Sequence, residues 1–476
     1  MHLYFQQIIN TMKKSVYLLQ PTYRKMDGTL VKGLPIFNYA INMPIISACI
    51  PNDWEKEICI EYFDEVNLET DASVVIMMSP GYDLAHAVTL AQEFKRRGKF
   101  IIFGSHTDEL SDRLMREICD VVYYGYPQPS TIAELLNDIR IGLFQPEYRW
   151  KFGIDFAFDY SVFNNHDIPF IPVMASTGCK NDCSYCCYPP VFGGRYRLRH
   201  IERVIDDLRA VQKFNKPISF LDGNLFNNRE YLLRLCNAIA DSKLKIRWGG
   251  QATIDIAEDG EILSALKKAR CRLLLFGLET LEPENSAQLH KEMYPVQKFE
   301  SQINKIQQAG IRAGAYFIFG LDSDTKNTFN KVRDFIHRTN VAVPYLHVLV
   351  PIAGTAIYHQ LRNEGRLLAE NFEDYLQQNP EFSVPCSFAY FRPKSMTALE
   401  VEEEYLRLNS HVYRLDRIIA RSISVNIKDM WAFLQLNLEA RSKYKAMVRG
   451  YQLRKSRHHQ SAKNESAKNE IATTTA

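Results

Sequence analysis

The chain is 476 residues long, room for two or three domains of roughly 150 residues each, and too long to depend on a small disulfide or metal scaffold. Hydrophobic residues make up 46% and charged residues 24%, which excludes a wholly disordered or fibrous chain. With 58 Lys and Arg against 55 Asp and Glu the net charge is only +3, so charge gives no reason to expect nucleic acid or an acidic membrane as the main partner.

Two stretches, 33–52 and 339–361, carry no formal charge over about the length of a bilayer span. The first holds Pro35, Pro44 and Pro51, and the second is broken by Pro344, His347, Pro351 and Gly354. Both therefore read as buried elements joined by turns, with no transmembrane segment. The N-terminal MHLYFQQIINTMKK has no long apolar core of a secretory signal, so a cytoplasmic protein is expected.

From 15 to 140 apolar runs alternate with helical patterns. SVYLLQP (15–21), EICIEYF (57–63) and the continuous apolar SVVIMMS (73–79) read as strands; 84–98 has helical spacing and ends in Gly98. FIIF (100–103) stops at Gly104, and a polar segment leads into DVVYYG (120–125). This order implies a parallel sheet with crossovers, which binds ligands at the carboxyl ends of its strands. The candidate ligand surface is thus 79–81, 104–107 and 125–126, including Ser79, Gly104, Ser105 and His106. No GxGxxG follows the first strand, so a dinucleotide has no support.

The ten cysteines, in a chain without a visible secretion signal, point to free, metal-binding or catalytic thiols. Cys49, Cys59, Cys119, Cys236, Cys271 and Cys386 are scattered and read as small buried hydrophobes. The other four crowd into STGCKNDCSYCCYPP, where Cys179, Cys183 and Cys186 stand at Cys-x3-Cys-x2-Cys spacing with Tyr185 before the third. Three thiolates on one short loop can ligate three irons of a [4Fe-4S] cluster and leave one iron for an exchangeable ligand. A structural zinc would need a fourth corner, which Cys187, adjacent to Cys186, can hardly supply.

Six strand-like runs follow, at 171–176, 217–223, 244–251, 272–279, 314–322 and 345–351, with helical patterns between them. Polar residues at their ends are Asp222, Asn224, Gln251, Glu279, Asp322 and Asp324, where a barrel gathers its catalytic groups. Glu279 reads as a ligand contact or a buried salt bridge, and Asp222 as a ligand contact or a turn residue. Gly320 would let a ligand approach the backbone, and Asp322 with Asp324 would touch ligand or cap the next helix. Arg195, Arg197 and Arg199 alternate and would meet anions or line a solvated edge. From 371 the pattern is helical, and the tail repeats SAKNE, a composition expected to be disordered; the seven Lys and Arg of 441–457, with no acid among them, read as a solvated run.

The cysteine loop, GGRYRLRHIERVIDDL after it, FLDGNLFNN, FGLET, FIFGLDSDT and the Glu364-Gly365-Arg366 run together resemble the cobalamin-dependent (class B) radical S-adenosylmethionine (SAM) family, over about residues 16–366. The chain departs from that pattern at 351–355, reads Gly104-Ser105-His106 where Gly-Gly-x-His is usual, and lacks Asp-x-His-x-x-Gly, Asp83 and His86 being one residue too far apart. The resemblance implies an α/β protein: an extension (1–14), a Rossmann-like sheet of cobalamin-binding type (15–140), a linker (141–165), a partial (β/α)6 barrel (166–370), a helical region (371–452) and a disordered tail (453–476). It implies a [4Fe-4S] cluster on Cys179, Cys183 and Cys186, SAM near Tyr185, Asp222, Glu279, Gly320 and Asp322, and cobalamin near Ser79, Gly104, Ser105 and His106. The expected activity is reductive cleavage of SAM to a 5′-deoxyadenosyl radical and C-methylation of an unactivated carbon in a small molecule or peptide, with a flavodoxin or ferredoxin as reductant. Cyclisation or rearrangement without methylation, a methylthiotransferase, and a non-catalytic cobalamin or redox sensor are the alternatives.

Overall fold

The computed structural model describes residues 13–22, 24, 29–32, 42–78, 84–105, 112–125, 127–149, 156–369, 388–423 and 430–442, and 444–445, 447–449, 451–452 and 455 of the last helix. The first sheet contains β1 (Ser15–Gln20), β2 (Glu55–Ile60), β3 (Val74–Met78), β4 (Phe100–Ser105), β5 (Val121–Tyr124) and β6 (Glu147–Arg149), in the order β2-β1-β3-β4-β5-β6 and parallel throughout. Alternate residues of these strands feed two separate cores. Val16, Leu18, Val74, Ile76 and Ile102 pack with the helices Asn42–Cys49 and Pro129–Ile141. Tyr17, Leu19, Val75, Met77 and Ile101 pack with the helices Leu84–Arg96 and Asp112–Ile118. A sheet covered on both faces needs continuous apolar strands, which is why SVYLLQ and VVIMM show no polar alternation. The chain runs from β1 out to β2 on one side and then crosses back over β1 to β3 on the other, a reversal that creates a crevice at the carboxyl ends of β1 and β3.

Two elements of this domain were not assigned from sequence, where 33–52 read only as buried elements joined by turns. The helix Asn42–Cys49 carries Pro44, yet the proline sits in its first turn, where no backbone N–H is missed. The three-residue β6, Glu-Tyr-Arg, lies inside the stretch read as a linker; short, charged and at the sheet edge, it has no apolar run to betray it.

The second sheet comprises β7 (Ile171–Val173), β10 (Ile218–Phe220), β11 (Trp248–Ala252), β12 (Cys271–Glu279), β13 (Arg312–Phe319) and β14 (Val343–Val348), again all parallel. Its strands follow in chain order from β7 to β14, and the two outer strands are not paired with each other, so the six βα units form a barrel that does not close. Helices Ile201–Val211, Arg229–Asp241, Gly260–Lys268, Phe299–Gln308 and Lys326–Thr339 fill the crossovers. Side chains fix the starts of two of them: Asn228 accepts from the Tyr231 amide at 3.0 Å and Asp259 from the Ile262 amide at 3.1 Å. Two further short strands, β8 (Ser176–Thr177) and β9 (Arg197–Leu198), pair antiparallel just beyond β7.

The C-terminal helices cover the β14 side. Tyr405, in the helix Ala398–Val412, donates to the Leu346 carbonyl at 2.8 Å, and Asn437 donates to that of Ala342 at 2.9 Å. Between the two sheets, Asp159 accepts from Ser47 (2.7 Å) and Lys56 (3.0 Å), and His166 meets Asp64 at 3.0 Å. No helix among the described residues is long and apolar enough to cross a membrane.

Candidate functional site

The cysteine loop leaves the carboxyl end of β7 and is pinched at its base by the β8–β9 pair. Gly178, at the entrance, has φ +76°, and a Cβ there would lie 1.8 Å from the Arg195 carbonyl oxygen, so only glycine lets the two ends of the loop meet. The tip is tied to distant parts of the barrel. The Ser184 amide donates to the Leu289 carbonyl (3.2 Å), its hydroxyl to that of Gln288 (2.8 Å), and its own carbonyl accepts from the Ile357 amide (2.9 Å). Tyr188 reaches the Leu221 carbonyl at the end of β10, 3.1 Å away.

Cys183 is buried, and Cys179 and Cys186 are half-buried on the same loop. The Tyr188 amide donates to the Cys186 sulfur at 3.4 Å. Burial, with Glu279 and Cys179 nearby, pushes the Cys183 thiol up to about 11; burial and the neighbouring Cys187 and Cys183 hold Cys186 well above its usual value. Such a group of thiols calls for a cationic centre. Among the described residues no three His, Cys, Asp or Glu side chains converge as a single ion requires. A four-iron cube, with its ligated corners set apart, suits a wider triangle of sulfurs.

Around the loop three buried polar atoms have no partner among the described residues: Thr177 Oγ1, Arg197 Nη1 and Asn227 Nδ2. Asn227 also accepts from Cys179 at 3.7 Å and from Asn224 at 3.0 Å. Orphaned donors beside a set of thiols suit a polar ligand carrying a carboxylate and hydroxyls, such as SAM.

Glu279 ends β12 in the left-handed region, at φ +64°, which aims its carboxylate at the loop. It accepts from Tyr185 (2.6 Å) and Lys291 (3.0 Å), and Lys291 also donates to the Gly277 carbonyl at 2.7 Å. Burial alone would lower the Lys291 ammonium; the Glu279 carboxylate and the thiols outweigh it and hold it above its usual value. Gly277 clears the way, since a Cβ there would lie 2.2 Å from the Glu279 carboxylate. Beside Gly277 in register stands Tyr316, stacked on Tyr345 (4.8 Å, 16°) and on His347 (5.9 Å, 19°), an aromatic wall on two adjacent strands.

The other expected residues take more structural places. Asp222 accepts from the Ala175 amide (3.0 Å) and the Ser176 hydroxyl (2.5 Å), and burial still lifts it to about 6. Asp322 is clamped by Arg366 (2.7 Å) and Lys394 (2.8 Å), which draws the Glu-Gly-Arg run onto the end of β13. Asp324 accepts from the amides of Gly320 (2.8 Å) and Leu321 and from Asn285, while helix capping falls to Thr325. Burial carries Asp324 to about 7. Gly320, at φ +92°, makes the turn. Arg199 is buried against Asp207 at 2.6 Å, so it is not a surface anion reader. In the first domain Gly104 packs its α-carbon against Met78 and Tyr123, and Ser105 closes β4. Ser79, Asp83, His106, Tyr126 and Cys386 lie outside the described residues. Lys291, Thr177 and Asn227 were not singled out from sequence, although Thr177 and Asn227 fall within quoted motifs and Lys291 does not.

Residues 173–336 match the Radical SAM superfamily model. The chain carries a radical SAM domain. Its relatives include bacteriochlorophyllide d C-12(1)-methyltransferase of Chlorobaculum tepidum, 25% identical over 82% of this chain and 87% of the relative. The C-8(2)-methyltransferase of the same organism is 22% identical over 72% and 79%. Hopanoid C-2 methylase of Rhodopseudomonas palustris is 26% identical over 45% of this chain and 41% of its own. Among solved structures, the radical SAM methyltransferase TsrM of Kitasatospora setae, with cobalamin and a [4Fe-4S] cluster bound, superposes with a TM-score of 0.59 at 16% identity over 74% of this chain and 78% of that one. The cobalamin-dependent radical SAM enzyme OxsB, with aqua-cobalamin and SAM bound, gives 0.54 at 11% identity over 93% and 72%. The radical SAM domain and the sheet before it thus share the fold of both.

Proposed function

We propose that the protein is a cobalamin-dependent radical SAM enzyme that methylates an unactivated carbon of a small molecule. The observation that carries the reading is the thiol loop, pinched at its base and fastened to three barrel elements, facing Glu279, with Asn227 Nδ2 and Thr177 Oγ1 left without partners among the described residues. Cys179, Cys183 and Cys186 would hold the cluster, and Tyr185, Asp222, Glu279, Gly320 and Asp322 would frame the SAM pocket. When bound, the cluster supplies the electron that cleaves SAM, and the corrinoid the methyl group. The chain's own work is to fix the loop, orient Glu279 through Lys291 and Tyr185, and keep the strand ends dry. Cobalamin would sit at the carboxyl ends of β1, β3 and β4, by Ser79 and Gly104-Ser105-His106, the crevice that such sheets offer ligands. Two relatives are named for methylating bacteriochlorophyllide d and one for methylating hopanoids, which favours a small-molecule acceptor over a peptide; a flavodoxin or ferredoxin would supply the electron. A methylthiotransferase would need clustered cysteines in the first domain, but Cys49 and Cys59 belong to cores on opposite faces of its sheet.

The test is anaerobic purification with cobalamin supplied, followed by iron, sulfide and corrinoid analysis and a SAM-cleavage assay under strong reductant. About four irons and one corrinoid per chain are expected. Replacing Cys179, Cys183 or Cys186 by Ala should abolish cleavage; cleavage surviving in Cys183→Ala would overturn the proposal.

A further inference from the structure

The helix Leu415–Ser422 packs Ile418 inward but leaves other apolar residues exposed beside Asp416 and Arg417. Its inward residues include Arg421 and Ser422, both buried, with the Arg421 guanidinium held by the Val412 carbonyl (2.8 Å) and Asn437 (2.9 Å). Outward, one turn apart, stand Leu415, Ile419 and Ile423, 52%, 49% and 60% exposed. Asn437 ties the following helix to this one, and that helix adds Trp431, 64% exposed, and Leu438 on one face. Scattered surface apolar residues are ordinary, but a helix that buries arginine to show a ridge of leucine and isoleucine is not.

Charge names the occupant. Residues 414–457 hold eleven Lys and Arg against three Asp and Glu, so in a chain of net charge +3 the remainder is net acidic. Beyond Glu439 the segment has no acid as far as 457, and Lys445, Arg449 and Lys455 are exposed. A second copy related by a two-fold axis would set this basic run near its own image, whereas an anionic lipid surface takes both the apolar ridge and the positive charge. An exposed Trp on the following helix suits the headgroup level. We propose that the C-terminal helices dock the protein peripherally on anionic bilayers, with Leu415, Ile419, Ile423 and Trp431 dipping into the lipid and the basic run facing the headgroups. This stands apart from the proposed chemistry.

The experiment is vesicle flotation of the full-length protein, purified anaerobically, with phosphatidylcholine vesicles containing or lacking phosphatidylglycerol. Binding is expected only with phosphatidylglycerol and should weaken with salt. Ile419→Glu with Trp431→Ser should abolish it, and Lys445→Ala and Arg449→Ala should each lower partitioning roughly fivefold. Leu143→Glu, at an exposed apolar residue of the first domain, should leave binding unchanged, and far-UV circular dichroism checks that each variant folds. No flotation of the wild type, flotation indifferent to the ridge substitutions, or a ridge-dependent dimer in light scattering without lipid binding would each overturn the proposal.

Discussion

Glu279 is the residue on which the site turns. It is buried, left-handed, and shared between a phenol and an ammonium, so its charge is tolerated only because Lys291 answers it. Removing one partner of such a pair costs far more than the pair contributes. Lys291→Met should lower the stability of the apoprotein by about 3 kcal/mol in denaturant unfolding, and adding Glu279→Gln should recover most of it. A double variant no better than the single one would mean that the two charges are not coupled. Glu279 was legible because it follows a glycine at the end of an apolar strand. Lys291, last of the Gln-Leu-His-Lys segment that leaves the helix Pro283–Gln288, carries no spacing signal, and only the folded chain brings its ammonium to Gly277 and Glu279. Asp222 and Asp322 were read at the right strand ends, but sequence cannot say that amides, a hydroxyl and two cations already claim their oxygens.

At the scale of elements, the β8–β9 clip makes a loop of cysteines into a preformed site. Gly178→Ala would force its Cβ into the Arg195 carbonyl from a left-handed backbone, a clash that opens the clip without touching either core. The expected outcome is a folded protein by circular dichroism whose iron content after reconstitution falls well below that of wild type; full iron loading would show that the clip is dispensable. All six barrel strands were legible as strand-like runs between helical patterns, although LKIRWGGQ (244–251) is broken by Lys245 and Arg247 and its strand spans Trp248–Ala252. The helix Asn42–Cys49 was not, since Pro44 reads as a breaker unless its place in the first turn is known, and neither was β6, whose three polar residues pair only because β5 is already there.

For the molecule as a whole, Asp159 ties the segment before the second sheet to Ser47 and Lys56 of the first domain. Burial would raise its carboxyl, but Ser161, Ser47 and Lys56 together hold it down at about 2. An unfolded aspartate titrates near roughly 3.9, so the folded state binds its proton later; this stability is present above about pH 4 and is lost as pH falls through about 2. Asp159→Asn should cost about 1–2 kcal/mol at neutral pH, discounted for partial exposure, and flatten the acid limb of a stability–pH curve. An acid limb identical to that of wild type would place the tie elsewhere.

The fastening of the cysteine loop also dictates an order of events during synthesis. Ser184 is held by the backbone of Gln288, Leu289 and Ile357, so the loop leaves the ribosome long before the segments that dock its tip have been made. A nascent chain stalled before Ile357 would present three unsheltered thiols, and the assembled iron–sulfur unit has its finished seat only after most of the barrel has been translated. On the proposed function, iron delivery to this loop would therefore be a late, post-barrel step, and oxidant met earlier would fall on bare sulfur.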